Sequence, residues 1–245
     1  MRALLCAALA IAVLLPATAQ DKPDDLVKAA VTAAGGAETL AKYPAGRSVG
    51  KGTLFFPTAN REFTFEHAHH APGRFRSRVT CEADGGPVEL IQVADGAKAR
   101  QRINGRAVPL TDAGVRELQL AVLLNEVAQL TPLTADRKFV LRADRQLRGP
   151  DATGLVVLVR GFPDLRLAFE RSTGHLTRIA HRSVDPETGK EGDLETTFSE
   201  FKEVAGLVRP TRSLVTRDGR KVAEIVVEKF TPLERIDPDA FALPD

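Results

Sequence analysis

The chain has 245 residues, with 34 Lys+Arg against 32 Asp+Glu and a formal net charge of +2. This near balance excludes the net basic domain and basic stripe expected of a nucleic-acid-binding protein, and it offers no polybasic segment for an anionic membrane surface. With no Trp, one Tyr and twelve Phe, packing must rest on aliphatic side chains and phenylalanine.

Residues 1–19 combine Arg2, an uninterrupted apolar run from Ala3 to Leu15, and Ala17-Thr18-Ala19 as an A-x-A cleavage site. The pattern predicts a secretory signal peptide. The run is too short for a bilayer, which asks for roughly 20 residues. Removing this segment takes the net charge from +2 to +1 and leaves Cys81 as the only thiol, so no intramolecular disulfide can form. The mature chain is therefore expected to be exported, soluble and not integral to a membrane. A single domain is expected over 20–245, because all-β chains of this length often form one.

Asp21–Asp25 reads as a loop that supplies a helix N-cap. Leu26, Val27, Ala30, Val31 and Ala34 then recur at helical spacing, which predicts a helix near 25–34 and, past Gly35-Gly36, a short one at 36–42. From Val49 the period becomes two. Strands are expected at 50–56, 61–67, 73–81 and 87–94, followed by a short one to Ile103. Phe63 and Phe65 share one face of their strand against Glu62, Thr64 and Glu66. In the next strand Phe75, Val79 and Cys81 oppose Arg74, Arg76 and Arg78. Thr111-Asp112 can cap a long helix that ends at Thr131-Pro132. Its apolar residues (Val115, Leu118, Leu120, Val122, Leu123, Leu124, Val127, Leu130) cover more than one stripe. Such a helix must be buried on several sides or lie over an apolar cavity. A strand at 138–143 and a meander of about five strands from Gly154 to Phe230 follow, punctuated by Gly, Pro and Asp clusters. Leu165, Leu167 and Phe169 share a face there. The final DPDAFALPD reads as an extended closing segment.

No stretch carries a catalytic motif: G-x-S-x-G, H-E-x-x-H and the P-loop are all missing, and Asp185–Gly192 lacks EF-hand ligand spacing. The group His67, His69 and His70 places two imidazoles on one strand face, but Pro72-Gly73 sits just beyond. Exposed histidines at a strand end are the expectation, and no metal or cofactor is expected. Arg74, Arg76 and Arg78 are read as a solvated face paired with Glu62 and Glu66 across the sheet. Cys81 reads as a small buried hydrophobe.

The chain resembles the LolA-like superfamily of periplasmic lipoprotein carriers and lipoprotein-sorting domains. The resemblance rests on AAGGAETLAK at 33–42, PGRFRSRV at 72–79 with its VADG turn, and the mid-chain apolar helix. It continues through LRLAFERSTGHLTRIAHRSVDPETG at 165–189 and FSEFKEVAGLVRPTRS at 198–213. It implies a mainly β (α+β) fold: a strongly curved antiparallel sheet of about eleven strands, an incomplete barrel with helices as a lid over its concave face. It further implies a non-catalytic, periplasmic carrier of lipid or lipoprotein acyl chains. That carrier is expected to be monomeric and able to engage envelope membrane proteins. Without a lipobox cysteine, a soluble carrier is favoured over an anchored acceptor. The expected cavity residues are Val115, Leu118, Leu123, Leu124 and Val127 on the helix, facing Phe63, Phe65, Phe75, Val79, Leu165, Leu167 and Phe169 on the sheet. Three alternatives stay open at this level: the same residues form a filled core, the fold serves as an envelope interaction module, or, ranked last, the histidine group and a surface carboxylate serve a hydrolase.

Overall fold

The computed structural model describes residues 22–83, 85–144, 146–147, 151–184 and 189–242. The expected signal peptide, the Arg148-Gly149-Pro150 turn and part of the 185–192 turn lie outside them. Helices α1 (Pro23–Ala33) and α2 (Ala37–Lys42) lead into strands β1 (Ala45–Phe55), β2 (Asn60–His70), β3 (Arg74–Ala83), β4 (Gly86–Asp95), β5 (Lys98–Ile103) and β6 (Arg106–Val108). Helices α3 (Asp112–Ala128) and α4 (Pro132–Ala135) follow. The chain then returns through β7 (Val140–Ala143), β8 (Ala152–Leu158), β9 (Leu165–Glu170), β10 (Leu176–Val184), β11 (Glu191–Val204), β12 (Leu207–Arg217) and β13 (Arg220–Leu233).

All thirteen strands form one antiparallel sheet in the order β6-β5-β4-β3-β2-β1-β13-β12-β11-β10-β9-β8-β7. The chain starts at the centre of the sheet and walks strand by strand to one edge. It crosses by α3 and α4 to the opposite edge, then walks back until β13 pairs with β1. Because β6 and β7 remain edges, the sheet curves without closing into a barrel. Two more strands are present than the expected eleven or so.

The helices cover the concave face. Leu155, Val157, Leu165 and Leu167 are fully buried there, together with Val27 of α1 and Val127 of α3. A second cluster joins Leu118 and Val122, on another side of α3, to Phe75 and Ala94. The helix is thus apolar on more than one side because it packs against both limbs of the curved sheet. Thr111 caps it, its hydroxyl accepting the Gly114 N–H at 3.1 Å. Lys138 reaches the buried carboxylate of Glu126 near its other end. The start of α1 differs from expectation. Pro23 occupies the first helical turn, where its fixed φ suits the helix, so Asp24 and Asp25 lie within that turn and Lys22 is the N-cap. The two carboxylates act on the helix dipole and do not cap it.

One pairing explains a run of small residues. Gly46, Ser48, Gly50 and Gly52 of β1 lie directly opposite His69, His67, Phe65 and Phe63 of β2. A Cβ at Gly50 would sit 2.1 Å from the Val226 carbonyl oxygen and 2.8 Å from the Phe65 ring. The small residues of β1 therefore make room for aromatic rings from the neighbouring strand. Gly50→Ala is expected to cost about 1–3 kcal/mol, the range for overpacking, seen as a lower urea midpoint with an unchanged m-value.

The convex face corrects two expectations. The tail is not extended: Pro238–Phe241 forms a 3-10 helix capped by Asp237, and Phe241 is buried with Ala45, Val93 and Ile236. Of the arginine row, Arg78 meets Glu89 and Glu66, and Arg74 meets Asp95. Arg76 instead donates to the carbonyls of Ala240 and Ala242. A returning terminus supplies acceptors for that guanidinium, which local strand pairing could not foretell.

Candidate functional site

A cavity of about 300 Å³ opens between the helices and the centre of the sheet. Ala30 of α1, Ala34 just past its end, and Asn125 and Ala128 of α3 roof it, and Gln129 and Leu130 continue the roof beyond α3. Ser48, Phe198, Ser213, Val227 and Phe230 supply sheet walls, with Leu176 at one side. Small alanines on the helices leave the room, because α1 is held to the sheet by its backbone: the Val208 N–H donates to the Ala34 carbonyl at 3.1 Å. Gly35 follows at φ +115°, with the Gly206 carbonyl so close that a Cβ would lie 2.0 Å from it. Only glycine permits this approach. The volume sits at the lower end of the roughly 300–1,000 Å³ typical of small-molecule sites.

Three of the polar side chains lining this space form a connected group. Arg209 of β12 donates to the Ala128 carbonyl at 3.1 Å and to Gln129 Oε1 at 2.7 Å. With its oxygen so engaged, Gln129 presents its amide N–H to His69 Nε2 at 3.2 Å. That nitrogen must then be an acceptor, which only a neutral imidazole carrying its proton on Nδ1 supplies. Burial, reinforced by the Arg209 charge and by His67 and His70, lowers the His69 pKa to about 4. The ring stacks nearly parallel to Phe230, with centroids 6.4 Å apart. His67 lies between Phe65 and Phe75, at 4.5 and 5.5 Å, and burial lowers its pKa to about 4 as well. The two histidines are therefore not exposed at a strand end. β2 continues to His70, and both half-buried histidines share the strand parity of Phe63 and Phe65. Among the described residues, no group of three or more His, Cys, Asp or Glu is placed to hold a metal ion.

The residues expected to line a cavity are distributed as follows. Leu123, Val127, Leu165, Leu167 and Phe169 lie in the main core, with Leu124 partly buried against it. Leu118 and Phe75 belong to the second cluster. Phe63 and Phe65 are buried against the glycines of β1, and Val79 pairs with Phe65. Val115 is half-buried in the first turn of α3. The 300 Å³ cavity is walled by other residues. Phe63 also borders a second, more open hollow of about 590 Å³, rimmed by Lys51, Glu62, Glu82 and Glu224. Cys81, on the same rim, is half-buried.

Sequence reasoning missed Arg209, His69 and Gln129 as a connected group. Arg209 lies within the GLVRP step, and its strand parity matches Leu207, but a charged side chain at that parity reads as an outward residue. His69 carried a signal in its spacing from Phe63 and Phe65.

No protein-family model and no curated protein sequence matches this chain. Its fold is shared with solved structures at low identity. A putative outer membrane lipoprotein-sorting protein domain from Vibrio parahaemolyticus is 10% identical, with a TM-score of 0.51, over 88% of this chain and 97% of that one. A DUF1329 family protein from Desulfovibrio piger is 10% identical with a TM-score of 0.57, over 90% and 97%. A LolA superfamily protein from Nitrosomonas europaea is 11% identical with a TM-score of 0.55, again over 90% and 97%. All four chains thus share one fold. Among the described residues, no helix is long and apolar enough to cross a membrane.

Proposed function

We propose that this chain is an exported, periplasmic carrier or binding protein for the acyl chains of lipids or lipoproteins, acting as a monomer and without catalysis. The cavity of about 300 Å³ carries this reading. It lies between helices and a concave sheet, with Phe198, Val227, Phe230, Leu176 and Leu130 presenting hydrocarbon to it. Each methylene moved there from water contributes about 0.8 kcal/mol, so a chain is held without special polar chemistry. The shared fold, found in lipoprotein-sorting domains, supports the same reading. In this reading the residues of α3 and the neighbouring strands expected from sequence, such as Leu123, Val127, Leu165 and Leu167, hold roof and wall apart. They need not touch the ligand.

The test is native mass spectrometry of the mature protein purified without harsh detergent, together with uptake of a fluorescent fatty acid. Bound lipid mass and saturable uptake are expected. Ser213→Phe, which projects a ring into the cavity from β12, is expected to weaken uptake by roughly tenfold or more, as loss of two buried methylenes would. Its thermal midpoint should change little. An apo mass with no uptake by the wild-type protein overturns the carrier reading.

A further inference from the structure

Arg209 has an incomplete set of partners. Its two hydrogen bonds go to neutral oxygens, the Ala128 carbonyl and the Gln129 amide, and they use two of the five N–H groups that a guanidinium carries. It makes no ion pair among the described residues. Glu228 is the one carboxylate on the cavity wall, and Lys51 holds it at 2.8 Å. The other titratable groups there are Lys202, His175, which stacks on Phe201 at 4.3 Å, and His69, which the Gln129 bond requires to be neutral. Arg209 is half-buried and lines the cavity. Its burial is deep enough to lower its pKa to about 10.

A buried cation without a counter-charge is costly, and proteins normally pair it. Here the fixed charge sits at the wall of a cavity that also presents Phe198, Val227 and Phe230. A guanidinium fork matches a carboxylate or phosphate in two-point geometry. We infer that Arg209 is the anchor for the anionic head of the bound amphiphile, so that the cavity selects acyl chains ending in a carboxylate or phosphate over uncharged ones. This rests on the proposed binding of acyl chains. It adds the head-group class and the residue that reads it. The head supplies the missing counter-charge, the tail lies along the phenylalanines, and Gln129 fixes the guanidinium plane from behind.

The experiment compares three ligands of one chain length (dodecanoate, dodecyl phosphate and dodecanol), each titrated calorimetrically below its micelle concentration into the mature protein. A charge-assisted contact in a buried site predicts that the two anions bind roughly tenfold or more tighter than the alcohol. Whichever anion ranks first identifies the head group. Arg209→Met is expected to abolish that preference, read as the ratio of anion to dodecanol affinity within the variant, so that loss of the bonds to Ala128 and Gln129 cancels from the comparison. Arg209→Lys, which keeps the charge but not the fork, should retain part of it. Equal affinity of wild-type protein for all three ligands overturns the anchor and leaves acyl binding standing. No binding of any of the three overturns both. Should Arg209→Met fail to fold, the three-ligand series on wild-type protein decides alone.

Discussion

Acidification from pH 7 to pH 4 is expected to remove several kcal/mol of stability, on the order of 2–3 kcal/mol for each of His67 and His69. Both imidazoles have a folded-state pKa of about 4, against an ordinary value near 6.5. For His67 the cause is burial between aromatic rings. For His69 it is burial first, then the neighbouring Arg209 charge. As the pH falls below about 6.5 the unfolded chain takes up these protons and the folded chain does not, so the equilibrium moves toward unfolding. The contribution is complete above that value and declines down to about 4, below which both states are protonated. Protonated His69 would also turn a donor toward the Gln129 amide, breaking the chain of bonds to Arg209. Urea midpoints at pH 7, 5.5 and 4.5 measure the slope, and His67→Leu and His69→Gln should each flatten it relative to wild type. Carboxylates titrate in all three proteins alike, so the difference between the curves isolates the histidines. A variant slope equal to that of wild type would sink this account.

Leu167→Ala is expected to cost about 2–5 kcal/mol, the range for opening a cavity at a fully buried leucine. Leu167 has no exposed surface. It stands at the middle of β9, directly opposite Ile179 on β10 and Leu155 on β8, and both neighbours are themselves buried beneath α1 and α3. Strands paired on both sides cannot slide inward to fill the gap, which places the cost toward the upper part of the range. In a chain of this size each kcal/mol moves the thermal midpoint by about 2–4 °C, so the melt should fall by roughly 4–20 °C. Val140→Ala, on the half-exposed edge strand β7, provides the contrast and should stay within about 0.5 kcal/mol. Equal losses at the two positions would mean that the concave layer is not the core of the molecule.

Much of the fold was legible because one face of an antiparallel sheet is dry. Phe63 and Phe65, or Leu165, Leu167 and Phe169, announce the inner face by alternation, and α3 announces burial on several sides by carrying apolar residues almost all round. The site was harder to see for the opposite reason. On β12 the residues that share the inner parity, from Leu207 through Arg209 and Thr211 to Ser213, are mostly polar, while Val208 and Pro210 lie on the other parity. Alternation alone assigns such a strand to the wrong face. The sequence pattern ends this strand at His67, three residues short of its end at His70, which is why local pattern places His69 in a turn. Arg76 and the tail were missed because their contact spans more than 160 residues, a separation at which local patterns are silent.

The path of the chain through the sheet has a consequence in time. Strand β1 is made early, yet one of its two neighbours is β13, whose last residue is Leu233. Until that strand exists, the centre of the sheet is an open edge, and every hairpin already formed on the N-terminal limb is a fragment with no second limb to curve against. Sheets closed by such distant pairings fold slowly, on a scale of about milliseconds to seconds, and expose unpaired strand edges while they wait. The seam between β1 and β13 therefore cannot form until β13 has been made, and aggregation during synthesis is expected to begin at β1.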